Sequence, residues 1–328
     1  DNGLYGLTLP SISDGQIYIS GIDSFFLLDA DNGEIIATHE FGNDWRTMRQ
    51  RRMAPIIGPN SMLVSYHKKD SDNNGAAELY RLGVFNSLNG DAIATKEFPK
   101  TDFEPEHLII GEQENIFLTY DGGKSDKIIC YKGFDAKAES KWRYYRKTVS
   151  RTNNADDQYP LKDPLKLQPK TEWIKSFDQN IEVPIIYKDG LYTTYGGNNL
   201  SDELIKLDRT SGEVVWRKRI PHAGGFCLGQ EGIYVGSRES LQYVGFNGET
   251  IWGVGLPSGG VDGYVGSPSA DNQGNVFITS GGRIFQATFI YRLYCVDGGS
   301  GKVKWSLNFE RDEWAIGPPA IDGKGFIY

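Results

Sequence analysis

Short apolar runs with alternating polar positions fill this chain, and turn residues interrupt them before any reaches helical length. Gln16-Ile17-Tyr18-Ile19-Ser20, Leu204-Ile205-Lys206-Leu207 and Asn275-Val276-Phe277-Ile278-Thr279 are of this kind. Alternation at every second position defines the face of a strand, and no stretch sustains the three-and-four spacing of an amphipathic helix. The runs come in pairs around a turn. Pro10-Ser11-Ile12-Ser13-Asp14-Gly15-Gln16-Ile17-Tyr18 has the form of Pro184-Ile185-Ile186-Tyr187-Lys188-Asp189-Gly190-Leu191-Tyr192, and Pro268 to Phe277 and Pro319 to Phe326 repeat it. Asp-Gly turns supply the positive φ of two-residue hairpins, so each pair predicts an antiparallel hairpin.

A second offset recurs downstream of each hairpin. Gly212 is followed four residues on by Trp216, Gly248 by Trp252, Gly301 by Trp305, and Ala138 by Trp142. Gly33 with Ala37 and Gly90 with Ala94 keep the spacing and put alanine in the tryptophan slot. Asp29, Asn86, Asp208 and Asp297 each stand four residues before the glycine. Each unit therefore reads as a four-stranded antiparallel meander whose last strand carries the tryptophan. The irregular spacing brackets the roughly 40–50 residues of a propeller blade, and a repeat of this kind decides the fold ahead of any single motif. One such sheet cannot bury both faces alone, so neighbours must stack.

The Asp-x-x-x-Gly-x-x-x-Trp pattern, preceded by Pro-x-x-x-Asp-Gly-x-x-Tyr, resembles the tryptophan-docking repeat of quinoprotein (PQQ-type) β-propellers over nearly the whole chain. The resemblance implies that Trp142, Trp216, Trp252 and Trp305 dock structurally between blades, and an exposed indole at Trp216 or Trp305 would make the repeat alignment wrong. The departures are Ala37, Ala94, the missing turn glycine before Trp142, and Val244 in the Asp slot of the fifth unit. Residues 317–328 match the first two strands of a further unit, and Asp1-Asn2-Gly3 matches the turn at Asp31-Asn32-Gly33. The expectation is a single all-β propeller domain over residues 1–328 with seven blades, the last completed by the N-terminal strand, or eight if the native chain is longer. A loop at about residues 148–180 is read as an insertion between the third and fourth blades.

Charge and composition narrow the function. The chain has 328 residues and a formal net charge of −8. That balance is the reverse of the basic footprint of nucleic-acid binding. No apolar run is long enough to span a membrane as a helix. Cys130, Cys227 and Cys295 are far apart in strand-like contexts and read as small buried apolar residues. The compartment follows from the resemblance alone, which implies an extracytoplasmic site in the periplasm or at the cell surface.

Four features invite a functional reading. Asp70, Asp72 and Asn74 alternate before Gly75, with Glu78 beyond, which is the oxygen-rich turn a calcium ion selects; a solvated hairpin loop accounts for the same residues. Arg46, Arg49, Arg51 and Arg52 crowd a loop between the first two units, where their planar forks suit carboxylate or phosphate groups on a partner. Local acids such as Glu40 and Asp44 are the alternative partners. Trp173, near the end of the long insertion, is read as a partner anchor or as a seal for that loop. His222 lies in a Gly-rich loop without a supporting catalytic motif. The large quinoprotein alcohol dehydrogenases that the repeat resembles carry adjacent cysteines over their cofactor, and this chain has none. The expectation is therefore a non-enzymatic scaffold that binds a protein partner on its rim, without PQQ and with calcium as the one cofactor the sequence offers. It is similar in repeat type and size to the propeller lipoprotein of the outer-membrane barrel-assembly machinery. A PQQ-dependent dehydrogenase acting on an alcohol or sugar, and a sensor or surface ectodomain, are the alternatives.

Overall fold

In the computed structural model, side chains are described mainly for residues 15–21, 24–40, 126–131, 171–196, 203–257, 265–282, 290–309, 317–321 and 325–328, and elsewhere chiefly the backbone of the strands named below. Among the described residues every regular element is a strand. The first sheet runs through β1 (Ser11–Ser13), β2 (Gln16–Ser20), β3 (Ser24–Asp29) and β4 (Ile35–Glu40). The second contains β5 (Trp45–Arg46), β6 (Ile56–Ile57), β7 (Ser61–Lys68), β8 (Tyr80–Asn86) and β9 (Ala92–Phe98). The third begins with β10 (Glu104–Ile110), β11 (Ile116–Asp121) and β12 (Asp126–Lys132). A short β13 (Asn154–Ala155) then pairs in parallel with β1, and β14 (Lys170–Ser176) closes the third sheet against β12.

The remaining sheets are more regular. β15 (Ile185–Tyr187), β16 (Gly190–Tyr195), β17 (Glu203–Asp208) and β18 (Val214–Arg219) form the fourth. The fifth is β19 (Phe226–Leu228), β20 (Gly232–Ser237), β21 (Ser240–Gly245) and β22 (Thr250–Gly255). The sixth is β23 (Val261–Val265), β24 (Ser269–Ala270), β25 (Asn275–Phe285), β26 (Thr288–Asp297) and β27 (Val303–Asn308). The chain forms two compact units. One comprises Asp1–Thr148, Asn153–Asp178 and Thr210–Gly212; the other comprises Val149–Thr152, Gln179–Arg209 and Glu213–Tyr328.

Burial follows position within a sheet. β20 is buried along its whole length, and β16 along all but its last residue. Such continuous burial is expected of strands covered on both faces. The outer strands β18 and β22 alternate half-buried and exposed positions instead. In the second unit, the fifth and sixth sheets share a core of Tyr234, Leu241, Tyr243, Val265, Val276, Ile278 and Tyr294, with Trp252 packed on its margin.

One irregularity recurs in all six sheets. The outer strand carries a bulge immediately before the tryptophan slot, leaving the preceding residue unpaired. Lys206 pairs with Trp216 and Leu207 with Val214, so Val215 is the extra residue. Ile251 and Lys304 take the same place before Trp252 and Trp305. Ile36 and Ile93 take it before Ala37 and Ala94. A bulge bends its strand and re-aims the next side chain. The alanine-bearing repeats therefore keep the backbone device although they lack the indole.

The third sheet corrects the sequence reading. Its outer strand is β14, where Cys130 pairs with Trp173, Tyr131 with Thr171, and Glu172 is the bulged residue. Trp173 thus occupies the slot that the spacing gave to Trp142, which lies outside the described residues. The long insertion falls between β12 and β14 of this sheet rather than after it, and it ends before Lys170.

Candidate functional site: the tryptophan junctions and the outer edges

The turn that ends the third strand of a repeat is built by Asp and Gly together. In the sixth sheet the Gly301 amide donates to the Asp297 carbonyl at 2.8 Å, while the Asp297 amide donates to Lys302 O at 2.8 Å. The Asp297 carboxylate accepts from the Ser300 amide at 2.9 Å and the Ser300 hydroxyl at 2.8 Å. Lys304 Nζ lies 3.1 Å from it. These donors, Ser300 first, lower its pKa to about 2. Gly33, Gly212 and Gly301 adopt φ of 74°, 74° and 73°, a left-handed region open to glycine at little cost.

Over each of three such turns lies an indole. A Cβ at Gly212 would stand 2.6 Å from Trp173, one at Gly248 3.0 Å from Trp216, and one at Gly301 2.7 Å from Trp252. The indole N–H of Trp216 donates to the Phe246 carbonyl at 3.0 Å, and that of Trp252 to the Gly298 carbonyl at 3.0 Å. Gly298 O also accepts from buried Tyr234 at 3.0 Å. Burial, foremost, drives the Tyr234 phenol pKa up, so this hydroxyl remains a donor. Phe246 stacks on Tyr187 with centroids 4.7 Å apart. Nothing in the spacing pointed to Phe246 or Gly298, because their role is to present a carbonyl.

Trp305 departs from this arrangement. It has the same register opposite Cys295 and packs against Phe277, with centroids 6.0 Å apart. Its side is open: Trp305 is 42% exposed, and Val303 and Leu307 beside it are 42% and 53% exposed. That exposure fails the test set for the repeat alignment at Trp305: its register is that of the other slots, but the expected wedging between turns is absent among the described residues.

The other sequence-selected residues divide as follows. Arg46 lies in β5, with its backbone opposite His67. Arg49, Arg51 and Arg52 lie outside the described residues, as do Asp70, Asp72, Asn74 and Glu78. Trp173 is half-buried and committed to Gly212 rather than presented as a partner anchor. His222 is exposed, with a left-handed φ of 56°. Cys130, Cys227 and Cys295 are buried on β12, β19 and β26. Among the described residues, no three His, Cys, Asp or Glu side chains are placed to hold a metal ion. No described helix is long and apolar enough to cross a membrane.

No protein-family model and no curated protein matches the sequence. Solved structures do match the fold. Quinohemoprotein alcohol dehydrogenase from Comamonas testosteroni superposes with a TM-score of 0.57 at 10% identity, covering 96% of this chain and 62% of that chain. Apo AztD from Citrobacter koseri gives 0.49 at 12% identity over 93% and 72% of the two chains. A europium-containing methanol dehydrogenase gives 0.46 at 12% identity over 97% and 71%. The first of these carries the conclusion: the chain has an all-β β-propeller fold like that of this dehydrogenase, with several four-stranded antiparallel sheets. It spans 62% of that dehydrogenase's length.

Proposed function

We propose that this propeller is a non-enzymatic scaffold that binds a protein partner on its rim, in an extracytoplasmic compartment. The observation that carries the reading is the use of its aromatic residues. Trp173, Trp216 and Trp252 are each committed to a turn glycine, and the indole N–H of the last two is bonded to a backbone carbonyl. Their chemistry is consumed by architecture, which leaves the loops to bind.

Quinone-dependent oxidation is the competing reading. In the large dehydrogenases that the repeat resembles, PQQ sits under a disulfide of adjacent cysteines, over a tryptophan and beside an aspartate and calcium. The described residues do not fit that group. The three cysteines are buried on separate sheets, and three of the four tryptophans whose side chains are described are docked. Reconstitution with PQQ and calcium, followed by dye reduction over alcohols and sugars, is expected to give no turnover. Turnover above that of the untreated protein would sink the scaffold reading. Capture from an envelope extract on the immobilised chain is the complementary assay, with Arg51→Glu/Arg52→Glu expected to lose the partner.

A further inference from the structure

Among the described residues, six outer strands end six sheets, and five carry charge. β4 has Glu40, β9 has Lys96 and Glu97, and β14 has Lys170, Glu172 and Lys175. β18 ends Arg217-Lys218-Arg219, and β27 has Lys304. β22, Thr250-Ile251-Trp252-Gly253-Val254-Gly255, has none. Edge strands are normally blunted by charge, because a bare row of amides and carbonyls is a template for another chain. Gly253 and Gly255 stand where β18 has Arg217 and Arg219, one and three residues past the tryptophan.

The backbone of these glycines faces away from the sheet. The Leu256 amide donates to Glu239 O at 2.8 Å, one position beyond the Ser240–Gly255 pair. Alternation along an antiparallel ladder then turns the N–H and C=O of Gly255 and Gly253 outward. Both residues are exposed, and Ile251 on the same face is 47% exposed.

Among the described residues, nothing explains two glycines at these positions. Neither has a left-handed φ. A Cβ on Gly255 would meet nothing within 4 Å, and one on Gly253 would meet only Gln242 Cγ at 3.7 Å, an ordinary contact. Glycine inside a strand weakens it, and it often marks the close approach of another backbone. A second copy of this chain fits poorly. Antiparallel pairing of β22 with itself about Gly253 sets Gly253 against Gly253, and pairing about Val254 sets Gly253 against Gly255. Either register leaves two bare positions face to face. An aromatic or β-branched residue opposite each glycine fills that space, as cross-strand pairs do.

We infer that the free edge of β22 is a strand-addition site for an extended, uncharged segment of a partner protein with aromatic or β-branched residues at alternate positions. This rests on the scaffold reading and names the chemistry of one partner. The probe is a blocked peptide of alternating threonine and tyrosine with one lysine at each end, added to the full 15N-labelled chain. Hydrogen exchange at the Gly253 and Gly255 amides is expected to slow at least tenfold at saturation. Gly253→Arg, which copies Arg217 of β18, abolishes that protection, and Gly255→Lys checks the result at a site with open space. Unchanged exchange at both amides overturns the inference, and so does protection confined to β18 or β27. A wild-type dimer in sedimentation that Gly253→Arg returns to monomer also overturns it, assigning the edge to a second copy. If Gly253→Arg retains the envelope partner that Arg51→Glu/Arg52→Glu loses, the scaffold reading stands and this inference fails. PQQ-dependent turnover alongside peptide protection sinks the scaffold reading and leaves the strand-addition site in place.

Discussion

At Gly301 two separate requirements fall on one atom. Its φ of 73° disfavours any Cβ, and a Cβ there would stand 2.7 Å from the Trp252 ring. The left-handed conformation costs a non-glycine residue about 1–2 kcal/mol, and overpacking adds about 1–3 kcal/mol. Gly301→Ala is therefore expected to lose about 3 kcal/mol in urea unfolding, although it adds a single methyl group. Trp252→Ala removes the other half of the contact and is expected to lose about 3 kcal/mol, near the lower end for buried aromatics. Trp305→Ala provides the contrast, because its indole is 42% exposed. It should cost less than half as much. Equal losses at the two tryptophans would show that docking on the glycine contributes nothing. The turn glycines and the docking tryptophans Trp216 and Trp252 were legible in sequence, since a positive-φ turn and a wedged indole each admit few residue types. Trp173 was not, because Pro169 holds the place four residues before it where the other repeats have a turn residue at the hairpin.

Scaled up to the element, the same turn makes a pH prediction. The Asp297 carboxylate is held near a pKa of about 2 by Ser300 and Lys304, below an ordinary aspartate at about 3.9. A pKa depressed by folding contributes stability that is present above the unfolded value and lost as pH falls through the folded one. The turn should hold from neutral pH down to about 4 and loosen between about 4 and 2. A carboxyl 13C titration reads this directly, and Ser300→Ala should move the midpoint upward; an unmoved midpoint would place the cause elsewhere. The hairpins were readable because Asp-Gly chemistry is local. The bulge before every tryptophan slot was not, since it depends on how the outer strand registers against its neighbour. Its consequence was visible as exposed Val215 and Ile251, apolar residues out of step with the buried face.

For the whole molecule, repetition made the fold readable and also hid the function. A residue that recurs in every repeat serves the architecture, so binding must be sought where repeats differ. Two differences stand out, the uncharged edge of β22 and the arginines of residues 46–52. Arg46, Arg49, Arg51 and Arg52 place four positive charges in seven residues of a chain whose net charge is −8. Guanidiniums so close repel one another unless anions offset them, and their planar fork favours carboxylates. An acidic partner surface supplies such groups, and a local excess of one sign steers encounter. Binding to that partner should weaken steeply with salt, because exposed charges are screened over about 8–10 Å at physiological ionic strength. Arg51→Glu/Arg52→Glu should fold with an unchanged melting temperature, lose the partner, and leave peptide protection at Gly253 intact. The measurement is partner affinity across a salt series for both proteins. A flat salt dependence in the wild type, or full binding by the double variant, would make the cluster architectural and return the search to the β22 edge.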